Sequence, residues 1–177
     1  MRVASVSNKL VSFSELEDFK GTEYEDLFIE YTYENESGDE VTVMGVVVRA
    51  GPFEDDLQEG FLEAQTNFRD HPSDITSSNL ITSDLSDTEF ITKILDNHSN
   101  YIDRQEVSGN NVPVYSLPTS SRTFGIINED LPNIYNSNSY ISGIIRASGA
   151  NPIEPDVRTP LYANPVPRIF FTPTINR

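Results

Sequence analysis

The stretch LFIEYTYENESGDEVTVMGVVVRAG, residues 27–51, contains two strand patterns separated by a turn. Residues 27–34 alternate between two faces, one of which carries both glutamates, as expected of a β-strand with one wetter face. Ser37-Gly38-Asp39 has the composition of a turn. The return run, 41–49, places valines on both faces, which predicts a strand buried on both sides. These features predict an antiparallel hairpin.

The segments on either side of this hairpin have helical signals. Before it, Ser12 is a candidate N-cap with Glu15 three residues later, which predicts a short helix that Gly21 ends. After it, GPFEDDLQEGFLEAQTNFRDHP, residues 51–72, spaces large apolar residues by four, four, three and four. That spacing predicts a helix over 53–69 with one buried stripe. The stripe is Phe53, Leu57, Phe61, Ala64 and Phe68.

A third helix is predicted over residues 87–97. Ser86 and Glu89 have the spacing of a capping box, and Leu85 and Phe90 are placed to form its hydrophobic staple. The predicted buried face of this helix is Phe90, Ile91, Ile94 and Leu95.

The composition changes after residue 100. Nine of the eleven prolines lie there, among turn-forming segments rich in Ser, Asn and Gly. Four short apolar runs remain, and each predicts a short strand. They are VPVYSL (112–117), TFGII (123–127), YISGIIRA (140–147) and RIFFTP (168–173).

Together these patterns predict an α+β fold, with a small antiparallel sheet packed by two or three short helices. We expect three regions along the chain. Residues 1–100 form an acidic α+β core, residues 101–157 form a β- and loop-rich region packed on the same domain, and residues 158–177 form an extended, proline-rich C-terminal arm.

The net charge of −16 belongs entirely to the first region. Residues 1–100 hold 22 carboxylates and six Lys or Arg, whereas residues 101–177 hold six of each. An acidic surface repels phosphate, and the later arginines form no cluster, so direct binding to nucleic acid is disfavoured. No run approaches the roughly 20 apolar residues of a membrane span, and no secretory signal pattern is present. We therefore expect no membrane partner, and synthesis in the cytoplasm of the producing cell.

Catalytic and cofactor motifs are not evident in the sequence. The chain has no cysteine and only two histidines, His71 and His98, which we interpret as structural residues at helix ends. No glycine-rich phosphate cradle occurs, so no cofactor is predicted. The acid clusters FEDDLQEG (53–60) and SDLSDTE (83–89) are interpreted as helix starts rather than calcium sites. A paired-carboxylate site stays open, because 28 carboxylates are available.

The C-terminal arm carries the functional hypothesis. It is neutral, stiffened by proline and rich in aromatic and arginine residues, as suits a segment that lies on another chain. The partner-interface candidates are Arg158, Tyr162, Arg168, Phe170, Phe171 and Arg177. The sequence thus predicts a non-enzymatic structural subunit of a large assembly, either a homo-oligomer or a hetero-assembly with other structural subunits.

The most concrete form of this hypothesis is a virion component of a tailed virus, such as a neck, tail, baseplate or capsid decoration protein. Two alternatives stay open: a small hydrolase or lyase that uses Asp/Glu chemistry, and a carbohydrate- or calcium-dependent binding module.

Overall fold

The computed structural model of the chain describes residues 3–6, 9–13, 16–34, 37–52, 61–66, 81, 83–108, 112–115, 134–152 and 161–174. Within them, five antiparallel strands and two α-helices form an α+β fold, which is the predicted class. The elements are β1 (Val3–Val6), β2 (Lys9–Phe13), β3 (Ile29–Glu34), β4 (Glu40–Gly51), β5 (Glu63–Thr66), α1 (Asp87–Ser108) and α2 (Ser137–Ala147).

Strand β4 is the long central strand of the sheet. The strand order is β1-β2-β4-β3, and β5 also pairs with β4. On β4, β3 pairs with residues 40–45, β5 with residues 48–51 and β2 with residues 45–49. Because β2 overlaps the other two strands along β4, β3 and β5 must lie one after the other on the opposite side of β4.

The predicted hairpin is confirmed. Strands β3 and β4 pair from Ile29 opposite Gly45 to Glu34 opposite Glu40. Gly38 in the turn has φ of +82°, a conformation that glycine adopts readily. Two-sided burial holds only for the second half of β4, where residues 45–48 are buried; Glu40 and Thr42 near its start are exposed.

The predicted helix at Ser12 is wrong. Ser12 lies in β2, opposite Val46 of β4 on one side and Val3 of β1 on the other. The helical part is one 3-10 turn, Leu16–Phe19, and Gly21 follows it at φ of +75°. The local capping pattern was overridden because pairing with the buried strand β4 satisfies more backbone groups than a single helical turn does.

The predicted helix over 53–69 is wrong where the structure describes it, at residues 61–66. Glu63–Thr66 form β5, and Phe61 makes an isolated antiparallel bridge with Val114. Leu62 and Ala64 are buried at 0% and 3% exposure, which is the alternation of a strand. Phe61 of the predicted stripe is only half-buried. The remaining stripe residues, Phe53, Leu57 and Phe68, lie outside the described residues.

The predicted helix over 87–97 is confirmed and is longer than predicted. The Ser86 backbone N–H donates to Glu89 Oε2 at 3.1 Å, and the Glu89 N–H donates to Ser86 Oγ at 3.3 Å, so the capping box forms. The predicted face is buried: Phe90, Ile91, Ile94 and Leu95. The helix α1 continues to Ser108, so it crosses residue 100, the predicted boundary between the first two regions.

The predicted strand YISGIIRA is wrong, because residues 140–147 belong to α2. The Asn136 side chain caps this helix by accepting hydrogen bonds from the Asn138 and Ser139 N–H groups, at 2.9 and 3.1 Å. The buried residues lie at helical spacing: Tyr140, Ile141, Ile144 and Ile145.

The other three predicted strands have different outcomes. RIFFTP begins with a 3-10 turn, Arg168–Phe171, so the strand prediction there is wrong. In the described part of VPVYSL, residues 112–115, two isolated bridges form, from Val114 to Phe61 and from Tyr115 to Tyr135. TFGII lies outside the described residues.

Candidate functional site

Residues 161–174, here called the C-terminal segment, lie across α1 and α2. The Val166 N–H donates to the carbonyl oxygen of Ser139 at 3.0 Å, and Ser139 Oγ donates to the carbonyl oxygen of Leu161 at 3.0 Å. Asn164 Nδ2 donates to the carbonyl oxygen of Ile134 at 2.7 Å. These bonds attach the first half of the segment to α2 and to the residues before it.

Gly143 permits this close approach. A Cβ atom added at residue 143 would lie 2.6 Å from the Val166 carbonyl oxygen and 3.1 Å from a ring carbon of Phe171. Real Cβ atoms do not approach backbone atoms this closely, so the segment and α2 fit together only with glycine at this position.

Phe171 attaches the second half of the segment to the core. Its ring is 1% exposed, and its centroid lies 5.4 Å from that of Tyr101 on α1 and 5.5 Å from that of Tyr140 on α2. Asn100 Nδ2 donates to the Phe171 carbonyl oxygen at 3.3 Å, and Arg104 Nη2 donates to the Thr172 carbonyl oxygen at 3.2 Å. One face of the segment is therefore packed against the chain's own core.

Four of the six partner-interface candidates lie in the described residues. Phe171 and Tyr162 are buried in the core of their own chain. Phe170 is half-buried, with the Arg104 guanidinium 6.0 Å from its ring centroid, and Arg168 is exposed. The other two candidates, Arg158 and Arg177, lie outside the described residues. The partner role of the set stays a prediction. Among the four described candidates, Arg168 and Phe170 are the two whose side chains reach the surface.

His98 forms a buried polar network that the sequence did not indicate. It lies in the middle of α1 rather than after a helix, so its predicted position is wrong. Its Nδ1 atom is 2.6 Å from Tyr140 Oη, and its Nε2 atom is 2.8 Å from Thr66 Oγ1. The side chain therefore joins α1 to α2 and to β5. The spacing of His98 from the buried Ile91, Ile94 and Leu95 was the one signal that could have placed it inward.

Burial controls the charge of this network. It lowers the pKa of His98 from 6.5 to about 3, and it raises the pKa of the Tyr140 hydroxyl. The two groups that contact the imidazole are neutral hydroxyls, so they offer an imidazolium no opposite charge. At 2% exposure the ring does not reach solvent. The arrangement suits a neutral imidazole that donates through one nitrogen and accepts through the other, in a structural role.

The His98 network predicts a loss of stability in acid. Between pH 6.5 and about 3 the unfolded chain binds a proton on this residue and the folded chain does not, so the free energy of unfolding falls as the pH falls. The expected loss from this group is about 2 kcal/mol between pH 7 and about pH 5. Urea melts of the chain and of His98→Gln across this range measure it.

Comparing His98→Gln with the unmodified chain isolates the effect of His98, because all the carboxylates and His71 are common to both proteins. The free energy of unfolding of His98→Gln should fall less across this pH range than that of the unmodified chain. The difference should equal the loss expected from His98, whatever the stability of the variant at pH 7. Parallel pH dependences for the two proteins would show that His98 is not held neutral by burial.

Helix α1 also covers the outer edge of β5 with polar side chains. Tyr101 Oη donates to the Leu62 carbonyl oxygen at 2.7 Å. Gln105 accepts from the Ala64 N–H at 2.5 Å and donates to the Ala64 carbonyl oxygen at 3.4 Å, as a neighbouring strand would. The Leu62 N–H donates to the Pro113 carbonyl oxygen at 2.8 Å. The backbone groups of Leu62 and Ala64 on this edge are thus occupied.

The acid clusters have partly known positions. SDLSDTE forms the start of α1, which confirms its interpretation as a helix start, and FEDDLQEG lies outside the described residues. Two acidic side chains attach the residues before β3 to α1: Asp18 accepts from Thr88 Oγ1 at 3.0 Å, and Asp96 accepts from the Tyr24 hydroxyl. Burial and this bond to Asp96 raise the pKa of Tyr24. In the described part of the chain, no group of three or more His, Asp or Glu side chains is placed to hold a metal ion.

Among the described residues, neither helix combines the length and the apolar character that crossing a bilayer requires. No protein-family model matches the chain, and comparison with curated proteins and with solved structures gives no significant match. The evidence on function therefore comes from the chain's own residues.

Proposed function

We propose that this chain is a non-enzymatic structural subunit of a large protein assembly, and that its C-terminal segment contacts neighbouring chains. The observation that carries the proposal is the division of the 3-10 turn Arg168–Phe171 between two environments. Phe171 is 1% exposed in the core, whereas Ile169, two residues earlier, is 62% exposed, and Arg168 beside it is also exposed.

This division suits a contact surface. Because Phe171 and the bonds from Asn100 and Arg104 hold the turn in place, little conformational entropy is left to lose when a partner covers Ile169. Ile169 is also the most exposed large hydrophobic residue among those described. Phe170 borders it, half-buried under Arg104. Aromatic and arginine residues are enriched at interfaces, so Phe170 and the two arginines near Ile169 suit a contact surface.

The partner that fits is an acidic surface of another subunit. Arg168 can pair with a carboxylate, and such pairs select orientation and partner more than they add affinity. Residues 1–100 of this chain carry its whole net charge of −16, so a second copy offers such a surface, as does any acidic structural subunit.

The narrower assignment is a virion component of a tailed virus, such as a neck, tail, baseplate or capsid decoration protein. It is supported by the composition of the chain, which is acidic, lacks cysteine and has a proline-rich C-terminal region. It predicts that the chain co-sediments with particles purified from the producing cells. Recovery only in the slowly sedimenting protein fraction would contradict it.

The contact surface is tested with Ile169→Asp and a matched control, Ala163→Asp. Both positions are exposed on the C-terminal segment, so both variants add one negative charge at the surface without disturbing the core. We expect Ile169→Asp to reduce the mass of the assembly measured by sedimentation, with an unchanged melting temperature, and Ala163→Asp to leave the mass as it is. Equal masses for Ile169→Asp and the unmodified chain would contradict the proposed contact.

A further inference from the structure

The groove between α1 and α2 has the shape of the C-terminal segment that fills it. The Phe171 ring packs on Tyr101 of one helix and on Tyr140 of the other. The missing side chain of Gly143 leaves the space that the Val166 carbonyl group occupies. These contacts depend on the sequence of the segment and not on the chain it comes from. The segment of a second copy would therefore fit the same groove.

The linker between α2 and the C-terminal segment is longer than its path requires. The Ala150 N–H donates to the Ile145 carbonyl oxygen near the end of α2, and the Leu161 carbonyl oxygen accepts from Ser139 near its start. Ile145 and Ser139 are separated by about 9 Å along the helix axis. Residues 151–160 reach about 30 Å at the rise of an extended, proline-rich chain. The linker is thus long enough to carry the segment to a groove on another copy.

The composition of the linker favours an extended chain. Its sequence, NPIEPDVRTP, has prolines at 152, 155 and 160. Linkers rich in proline are semi-rigid spacers that resist folding back over a short distance. An extended linker directs the segment away from its own α2, so the sequence favours a segment that crosses to a neighbouring chain.

The distribution of charge also favours this crossing. From residue 158 to residue 177 the chain has three arginines and no acid. Residues 1–157 have nine Lys or Arg and all 28 carboxylates, which is a net charge of −19. Two such bodies repel each other, whereas the positive end of one copy is attracted to the body of another. The C-terminal segment is therefore the part of the chain that a second copy attracts.

We propose that two copies exchange their C-terminal segments, so that each segment lies in the groove between α1 and α2 of the other copy. The exchange keeps the contacts described for the segment, and it closes as a dimer because each copy gives and receives one segment. This inference rests on the proposed function in one respect, that the C-terminal segment takes part in assembly. The surfaces differ, since Phe171 faces the groove and Ile169 is exposed.

Cross-linking of introduced cysteines tests the exchange, because the chain has no cysteine of its own. Ser99 on α1 and Pro173 on the segment are both exposed, and each lies within two residues of the bond between Asn100 and Phe171. One batch of the full-length chain carries Ser99→Cys, and a second batch carries Pro173→Cys. The batches are mixed at about 1 mM, because a tethered segment has an effective concentration of that order, and are treated with a short bis-maleimide.

The matched control for random collision is Ser99→Cys mixed with Glu40→Cys, an exposed position on the β3–β4 hairpin. We expect the peptide that joins positions 99 and 173 of different chains to be about tenfold more abundant, by mass spectrometry, than the control product. A double variant, Ser99→Cys with Pro173→Cys, shows that the two positions are within reach. If the double variant links only within one chain and the mixture gives no more product than the control, the exchange is overturned.

Ile169→Asp, added to both batches, separates this proposal from the outward contact. It leaves the groove unchanged, so the link between positions 99 and 173 of different chains should persist. If the outward contact fails and the exchange is correct, Ile169→Asp does not change the mass of the assembly and the link still forms. If the exchange fails and the outward contact is correct, Ile169→Asp lowers the mass and the link between chains is absent.

Discussion

Replacing Phe171 with alanine should lower the free energy of unfolding by about 3–5 kcal/mol, the range measured for removal of a buried phenylalanine. Phe171 is 1% exposed and packs against both Tyr101 and Tyr140, so its removal leaves a cavity where α1, α2 and the C-terminal segment meet. Denaturant melts measure the change.

Ile169→Ala is the matched control, because Ile169 lies in the same 3-10 turn and is 62% exposed. It should cost less than about 1 kcal/mol, as surface substitutions do. If Phe171→Ala and Ile169→Ala cost the same, the C-terminal segment is not part of the core.

The burial of this segment changes what a truncation should do. The sequence-based hypothesis treats residues 158–177 as an arm whose anchors lie on another chain. Of the two predicted anchors, Phe170 and Phe171, Phe171 is buried in the chain's own core in the structure, together with the interface candidate Tyr162 and with Val166. We therefore expect removal of the segment to destabilise the fold, which makes single-residue variants the better test of assembly.

The second large effect is expected at Leu62. Leu62→Ala should cost about 2–5 kcal/mol, because the side chain is 0% exposed and its removal leaves a cavity in the core. Phe61→Ala should cost less, since Phe61 is only half-buried.

The comparison of these two variants tests the strand assignment. In the helix predicted over 53–69, Phe61 lies on the buried stripe and Leu62 lies off it, so the order of the two costs is reversed. A larger loss for Phe61→Ala than for Leu62→Ala in denaturant melts would contradict the strand β5.

The parts of the fold that were predictable are those with local causes. The β3–β4 hairpin follows from alternation and from the turn at Gly38, and the start of α1 follows from the reciprocal bonds of Ser86 and Glu89. Both signals operate within a few residues, so no other part of the chain is needed to interpret them.

The errors occurred where distant residues decide the conformation. The 4-4-3-4 spacing around Phe61 is helical, yet residues 63–66 pair with the end of β4, and α1 satisfies their other edge. The run at 140–147 is rich in β-branched isoleucine, yet Asn136 caps a helix there. Its apolar residues at 140, 141, 144 and 145 have helical spacing, which was available in the sequence as a signal.

The candidate site was predictable only in part. The sequence identified the C-terminal segment and its aromatic residues, but hydropathy alone could not tell which of Ile169, Phe170 and Phe171 faces inward. That choice depends on the space left by the missing side chain of Gly143 and on the rings of Tyr101 and Tyr140, which belong to two separate helices. The His98 network likewise depends on contacts among α1, α2 and β5.

The most direct test of the proposed structural role is the mass of the intact chain in solution, measured by sedimentation equilibrium over a range of protein concentration at about 0.15 M salt. A structural subunit that joins other copies through the outward face of its C-terminal segment should have a mass that is a multiple of 19.9 kDa and that decreases on dilution or at low salt. A mass of 19.9 kDa at every concentration and ionic strength would contradict self-assembly and leave contact with other subunits as the only form of the proposal to test.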